Sequence, residues 1–180
     1  MIFFKVIIIF LLFSFSINAD QKDSRLDNLF SILYESDSEN EINKIVSNIW
    51  DIWLETKDPS IYNDFYHGLE SMRNGDLKLS IVLFTKVIKK NSNFAEAWNK
   101  RATVYYMLGD FDLSMIDINE TLKLEPRHFG AMDGLSLIFI HLREFEKAIH
   151  VYDQMLNIFP NNSLVIQKRK HILKLISESA

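Results

Sequence analysis

Residues 95–126 read AEAWNKRATVYYMLGDFDLSMIDINETLKLEP, and this stretch decides the fold. Trp98, Ala102 and Tyr105 fall at i, i+4 and i+7, the spacing of one face of a helix. Gly109-Asp110 breaks the run: glycine suits the left-handed residue that closes a helix, and aspartate suits the start of the next. A second helical run follows through Phe111, Ser114, Ile118 and Leu122, and Pro126 stops it. The stretch is therefore a helix, a tight turn, a second helix and a terminator.

The same size classes return about 34 residues away on either side. Ala102 lands on Gly68 and Ser136, all small enough to let two helix backbones approach closely. Ser114 lands on Ser80 and Ala148, Phe111 on Leu77 and Phe145, Ile118 on Phe84 and Tyr152, and Leu122 on Ile88 and Leu156. Tyr105 lands on Phe139, with Ser71 as a departure, and Pro126 on Pro160, with Ser92 as another. The tryptophan column holds Asp64 and Met132, and Gly109 is matched by Gly75 but by Arg143 in the last unit. A non-glycine there predicts a looser or mildly strained turn.

This spacing resembles the tetratricopeptide repeat (TPR), a helix–turn–helix unit with Trp, Leu-Gly, Tyr, Ala, Phe and Pro at fixed offsets. Arg101 occupies a column that is usually leucine in that family. The resemblance implies an all-α, right-handed superhelical solenoid of antiparallel helix pairs, with units at 61–94, 95–128 and 129–162. Helices are expected near 61–73, 77–90, 95–108, 111–124, 129–142, 145–158 and 163–177. The final segment, 163–180, reads as an amphipathic cap with Val165, Ile172, Leu175 and Ile176 on one side and Lys168, Arg169, Lys170 and Lys174 elsewhere. Its basic run reads as a solvated face, with contact to an anionic membrane or a partner as the other possibility.

The chain begins with MIFFKVIIIFLLFSFSINA, one lysine followed by an apolar run. This predicts a signal peptide over 1–19, cleaved after Ala19, and hence export, with the bacterial periplasm as the expected compartment. An uncleaved segment would instead make an N-terminal inner-membrane anchor. Residues 20–26 are polar and read as a linker. Residues 27–36 and 39–56 read as two amphipathic helices, and 27–60 as a degenerate capping hairpin, in phase with the repeats through Val46 and Trp50. The alternative is an extra helix lying in the groove. There is no cysteine, so no disulfide supports the core. The net charge of −4 with dispersed lysines excludes a broad nucleic-acid footprint.

No catalytic motif stands out. None of His67, His128, His141, His150 and His171 pairs at i, i+4, so no metal site is expected, and no cofactor. The aromatic columns Tyr105, Phe111, Phe139, Phe145 and Tyr152 recur at repeat spacing and read as core. The expected function is a non-catalytic protein-interaction module; the alternative is a membrane-tethered assembly or chaperone subunit.

In the family, the first helix of each unit lines a concave groove that takes a peptide or a partner helix. Carried over here, the lining residues are Tyr62, Phe65, Tyr66, Leu69, Met72 and Arg73 from the first unit. The middle unit supplies Asn99, Lys100, Thr103, Tyr106 and Met107. The third supplies Asp133, Leu137, Ile140 and His141, with Gly130 and Gly134 leaving space. Some members clamp a C-terminal carboxylate with lysine, asparagine and arginine spread over three units. Here only Asn99 and Lys100 are candidates, so the resemblance points to apolar recognition of a protein or peptide partner, closer to a helix in a groove.

Overall fold

The computed structural model describes residues 23–179. Over these it is all-α, with helices α1 (Ser24–Glu35), α2 (Glu39–Leu54), α3 (Pro59–Arg73), α4 (Leu77–Lys90), α5 (Ala95–Leu108), α6 (Phe111–Leu124), α7 (Phe129–His141), α8 (Phe145–Ile158) and α9 (Ser163–Ser179). The expected signal peptide or anchor lies outside the described residues. Among those described, no helix is long and apolar enough to cross a membrane. Part of the expected linker is helical: α1 starts at Ser24 because the Asp23 carboxylate accepts the Arg25 N–H at 2.9 Å and caps it.

From α3 to α9 each helix packs on the one before it, as in a stack of antiparallel pairs. α5 also touches α3 and α7. No comparable contact links α4, α6 and α8, so the first helices of the units stand closer together and line the inner face. The fold is a TPR-type helical solenoid.

The repeated small residues explain the close pairing. Ser80 Oγ donates to the Gly68 carbonyl at 3.1 Å, and Ser114 Oγ donates to the Ala102 carbonyl at 2.8 Å. A Cβ at Gly68 would lie 2.7 Å from Phe84 Cε1, so only glycine lets that ring seat. The departures from the repeat also have physical roles. Asp64, in the tryptophan column, holds Lys86 and Lys90 of α4, each at 2.9 Å. Arg101 grips both oxygens of Asp117 in α6 at 2.7 and 2.8 Å and donates to Thr85 Oγ1 in α4 at 2.9 Å, tying three helices together.

The turn at Arg143 is strained and not looser. Its φ is +60°, against +81° at Gly75 and +80° at Gly109. The N–H of Glu144 reaches the Phe139 carbonyl at 2.8 Å, as Asp110 reaches Tyr105 and Asp76 reaches Ser71, each at 2.9 Å. Packing imposes the same turn on all three units, and Arg143 bears a left-handed backbone that side chains disfavour.

The N-terminal pair departs most from expectation. α1 and α2 pack on each other, but α2 makes its main contact outside the pair with α5, not with its sequence neighbour α3. The hairpin is therefore not a further repeat stacked in series. It folds back across the inner face, which is the alternative arrangement, a helix in the groove. Its apolar side, Leu26, Phe30, Leu33, Ile45, Ile49 and Trp53, forms one cluster with Phe159, and Phe129 and Ile158 pack against it. Polar contacts fix the register: Arg127 pairs with Asp27 at 2.8 Å, and Asn161 Nδ2 donates to the Ser36 carbonyl at 2.8 Å.

Candidate functional site

The inner face divides into a filled part and an open part. The filled part is built around His128, the residue before α7. Its Nδ1 accepts the Ala131 N–H at 3.1 Å, capping the helix, so Nε2 carries the proton and donates to Glu96 Oε2 at 2.8 Å. Both side chains are fully buried. Asn99 Nδ2 donates to Glu96 at 3.1 Å, and Lys100 Nζ lies 2.8 Å from its other oxygen. Burial opposes ionisation of Glu96, but the Lys100 ammonium and the His128 ring outweigh it, and the carboxyl titrates below the ordinary glutamate range.

α2 closes over this cluster with two tryptophans. Trp53 stacks on the His128 ring at 4.0 Å, 10° from parallel. Trp50 meets His128 and Phe129 edge-on at 5.6 and 5.5 Å, and Lys100 Nζ stands 5.1 Å from its ring centre. Gly130 makes room: a Cβ there would lie 2.6 Å from Trp50 Cη2. These aromatic contacts are what dock α2.

The open part runs from α3 to the middle of α7. Tyr62 and Tyr66 are 48% and 37% exposed, with ring centres 4.5 Å apart. Further along, Thr103, Tyr106, Asp133 and Leu137 line a pocket of about 170 Å³ with Gly130 and Gly134. Asn99 reaches the same pocket, but it is only 5% exposed and is held by Glu96.

Several expected groove residues are placed otherwise. Phe65 is fully buried and packs on Phe84 and Phe94, so it belongs to the core. It follows Ile61 by four residues and precedes Gly68 by three, on the buried stripe beside the tyrosines. Lys100 is drawn into the Glu96 cluster and is only 18% exposed. Leu69 is half-buried against the first unit's core, and Ile140 against the last. His141 lies against the Phe111 ring at 4.4 Å. The residues missed from sequence were Trp50, Trp53, Glu96, His128 and Phe129. The available signal was Trp50-Asp51-Ile52-Trp53 itself, since two tryptophans one turn apart are too apolar for the polar outer face of a cap.

The fold has counterparts among known proteins. The family model described as tetratricopeptide repeat matches residues 83–114. A TPR repeat-containing protein of Rhizobium etli is 27% identical over 136 residues, covering 76% of this chain and 67% of that protein. Hsp70-Hsp90 organizing protein 1 of Glycine max is 24% identical over 97 residues, 54% of this chain and only 17% of its own length. Among solved structures, the first TPR of Spaghetti bound to an HSP90 peptide superposes with a TM-score of 0.62 at 19% identity, covering 68% of this chain and 99% of that one. With the repeat geometry above, these matches show a chain similar to tetratricopeptide-repeat proteins, with a matched repeat at residues 83–114.

Proposed function

We propose that this protein is a non-catalytic interaction module that holds one partner segment, peptide or helix, on the open part of its inner face. One observation carries the reading. The exposed Tyr62–Tyr66 pair and the pocket at Tyr106 and Leu137 lie on the face where the chain already holds an amphipathic helix of its own. Exposed apolar surface of this kind marks interaction sites. Similar proteins named for Hsp70 and Hsp90, and a similar domain with a bound HSP90 peptide, support a protein ligand as the class. The carboxylate-clamp mode has no support here, because Asn99 and Lys100 are both engaged by Glu96. The non-catalytic reading draws on the buried ionisable groups: Glu96 with Lys100, and Asp117 with Arg101, neutralise one another within the packing, and both nitrogens of His128 are taken up in hydrogen bonds. We assign the protein to an exported compartment on the sequence of residues 1–19, which N-terminal sequencing of the mature protein tests.

The decisive experiment is in-cell crosslinking and co-purification with the wild type and a Tyr66→Ala/Tyr106→Ala variant, with circular dichroism to confirm folding. A partner recovered only with the wild type supports the inner face. A partner recovered equally with both moves binding elsewhere and overturns the reading.

A further inference from the structure

α7 carries two glycines one helical turn apart on the same face. Gly130 is covered by Trp50, and no side chain would fit there. At Gly134 a Cβ would meet only Ile118 Cδ1, at an ordinary 3.5 Å. The pocket opens at this second notch, between Ala102, Thr103, Tyr106, Ile118 and Leu137. One notch thus holds an aromatic ring from the chain's own α2, and its neighbour is continuous with that interface and open.

Two properties define what fits. The first is size: about 170 Å³ is close to the roughly 150 Å³ apolar cavity that accepts benzene. The second is the state of the polar rim. Ser114 Oγ donates to the Ala102 carbonyl at 2.8 Å, and Thr103 Oγ1 to the Asn99 carbonyl at 2.9 Å. Both Asp133 oxygens are held by Lys168 Nζ, at 2.7 and 2.9 Å. An accepting or anionic occupant finds the Ser114 and Thr103 hydroxyl protons already engaged and the Asp133 carboxylate at the rim, whereas an apolar one needs neither.

Building on the proposed function, we infer that the pocket at Gly134 is an anchor site for one phenyl-sized apolar side chain of the partner segment, seated beside Trp50. The anchor sets specificity: the pocket takes a phenylalanine-like group and rejects an anionic one.

The test uses the full-length chain with labelled Ile, Leu and Ala methyl groups, titrated with N-acetylphenylalanine methylamide and, separately, N-acetylaspartate. The phenylalanine probe should shift Ala102, Ile118 and Leu137, and the aspartate probe should not. Gly134→Leu, which fills the pocket, should weaken the response by about tenfold or more, and Gly134→Ala should preserve it. Equal responses from wild type and Gly134→Leu would overturn the anchor, as would shifts centred on Ile45 and Ile49, which would mean that the probe displaces Trp50. Crosslinking separates the two readings. A partner lost with Tyr66→Ala/Tyr106→Ala but kept by Gly134→Leu removes the anchor and leaves the inner-face reading standing. A partner kept by both variants removes both.

Discussion

The repeats and the N-terminal hairpin are held by contacts of different range. Inside the repeats the side-chain ties are short in sequence: Arg101 to Asp117 spans 16 residues, and Ser114 to Ala102 spans 12. The hairpin is fastened by Arg127 to Asp27, 100 residues apart, and by Asn161 to Ser36, 125 apart. Periodicity reports neighbours in a stack, because each unit buries its apolar face on the next. It is silent about a helix that returns from elsewhere in the chain.

The largest expected effect is at the hairpin's anchor. Trp53→Ala removes a fully buried indole and should cost about 3–5 kcal/mol of stability. Hydrogen exchange should show α1 and α2 losing protection while α4 and α6 keep theirs. Uniform loss across all helices would erase the distinction between the two regions.

Glu96→Gln comes next. Exchanging a buried carboxylate that holds three partners should cost about 1.5–3 kcal/mol at neutral pH. The folded-state pKa of Glu96 is depressed, so its contribution is present above the ordinary glutamate range and fades as pH falls through the folded value. Denaturation curves of wild type and Glu96→Gln should therefore converge on acidification. A gap independent of pH would mean that Glu96 is neutral in the folded protein.

Three glycine-to-alanine changes sharpen the comparison in smaller steps. Gly68→Ala pushes on Phe84 inside a repeat, and Gly130→Ala pushes on Trp50 beneath the hairpin; each should cost about 1–3 kcal/mol. Only the second should selectively loosen α2. Gly134→Ala meets no obstruction and should stabilise by about 0.5–1 kcal/mol. The smallest effect is expected at Arg143→Gly, which relieves the left-handed turn and should gain about 1 kcal/mol or less, read as a shift of the denaturation midpoint.

The repeat helices were legible from residue spacing because each rests on a column of fixed size class: Gly68, Ala102 and Ser136 against Phe84, Ile118 and Tyr152. The hairpin was misread because Val46 and Trp50 fall in phase with those columns by coincidence, and phase says nothing about which surface a helix meets. Within the site, Tyr62, Tyr66 and the space at Gly134 came from the family resemblance, which assigns the first helix of each unit to the groove. The same assignment put Phe65 in the groove, but it lies on the side of α3 shared with Ile61 and Gly68, and there the core claims it. Lys100 and Asn99 sat at groove positions, but Glu96, four and three residues earlier and one helical turn away, had already bound them. That competition depends on His128 arriving from a distant turn, which no local pattern could show.

A stack of helical pairs flexes like a spring, through small rotations at each interface. Here the hairpin spans the coil as a tie rod, pinned at His128 by the tryptophans, at Arg127 by Asp27 and at Asn161 by Ser36. The turns beneath the rod are stiffened against opening. The rod thus braces the last unit, at whose two ends its three pins lie.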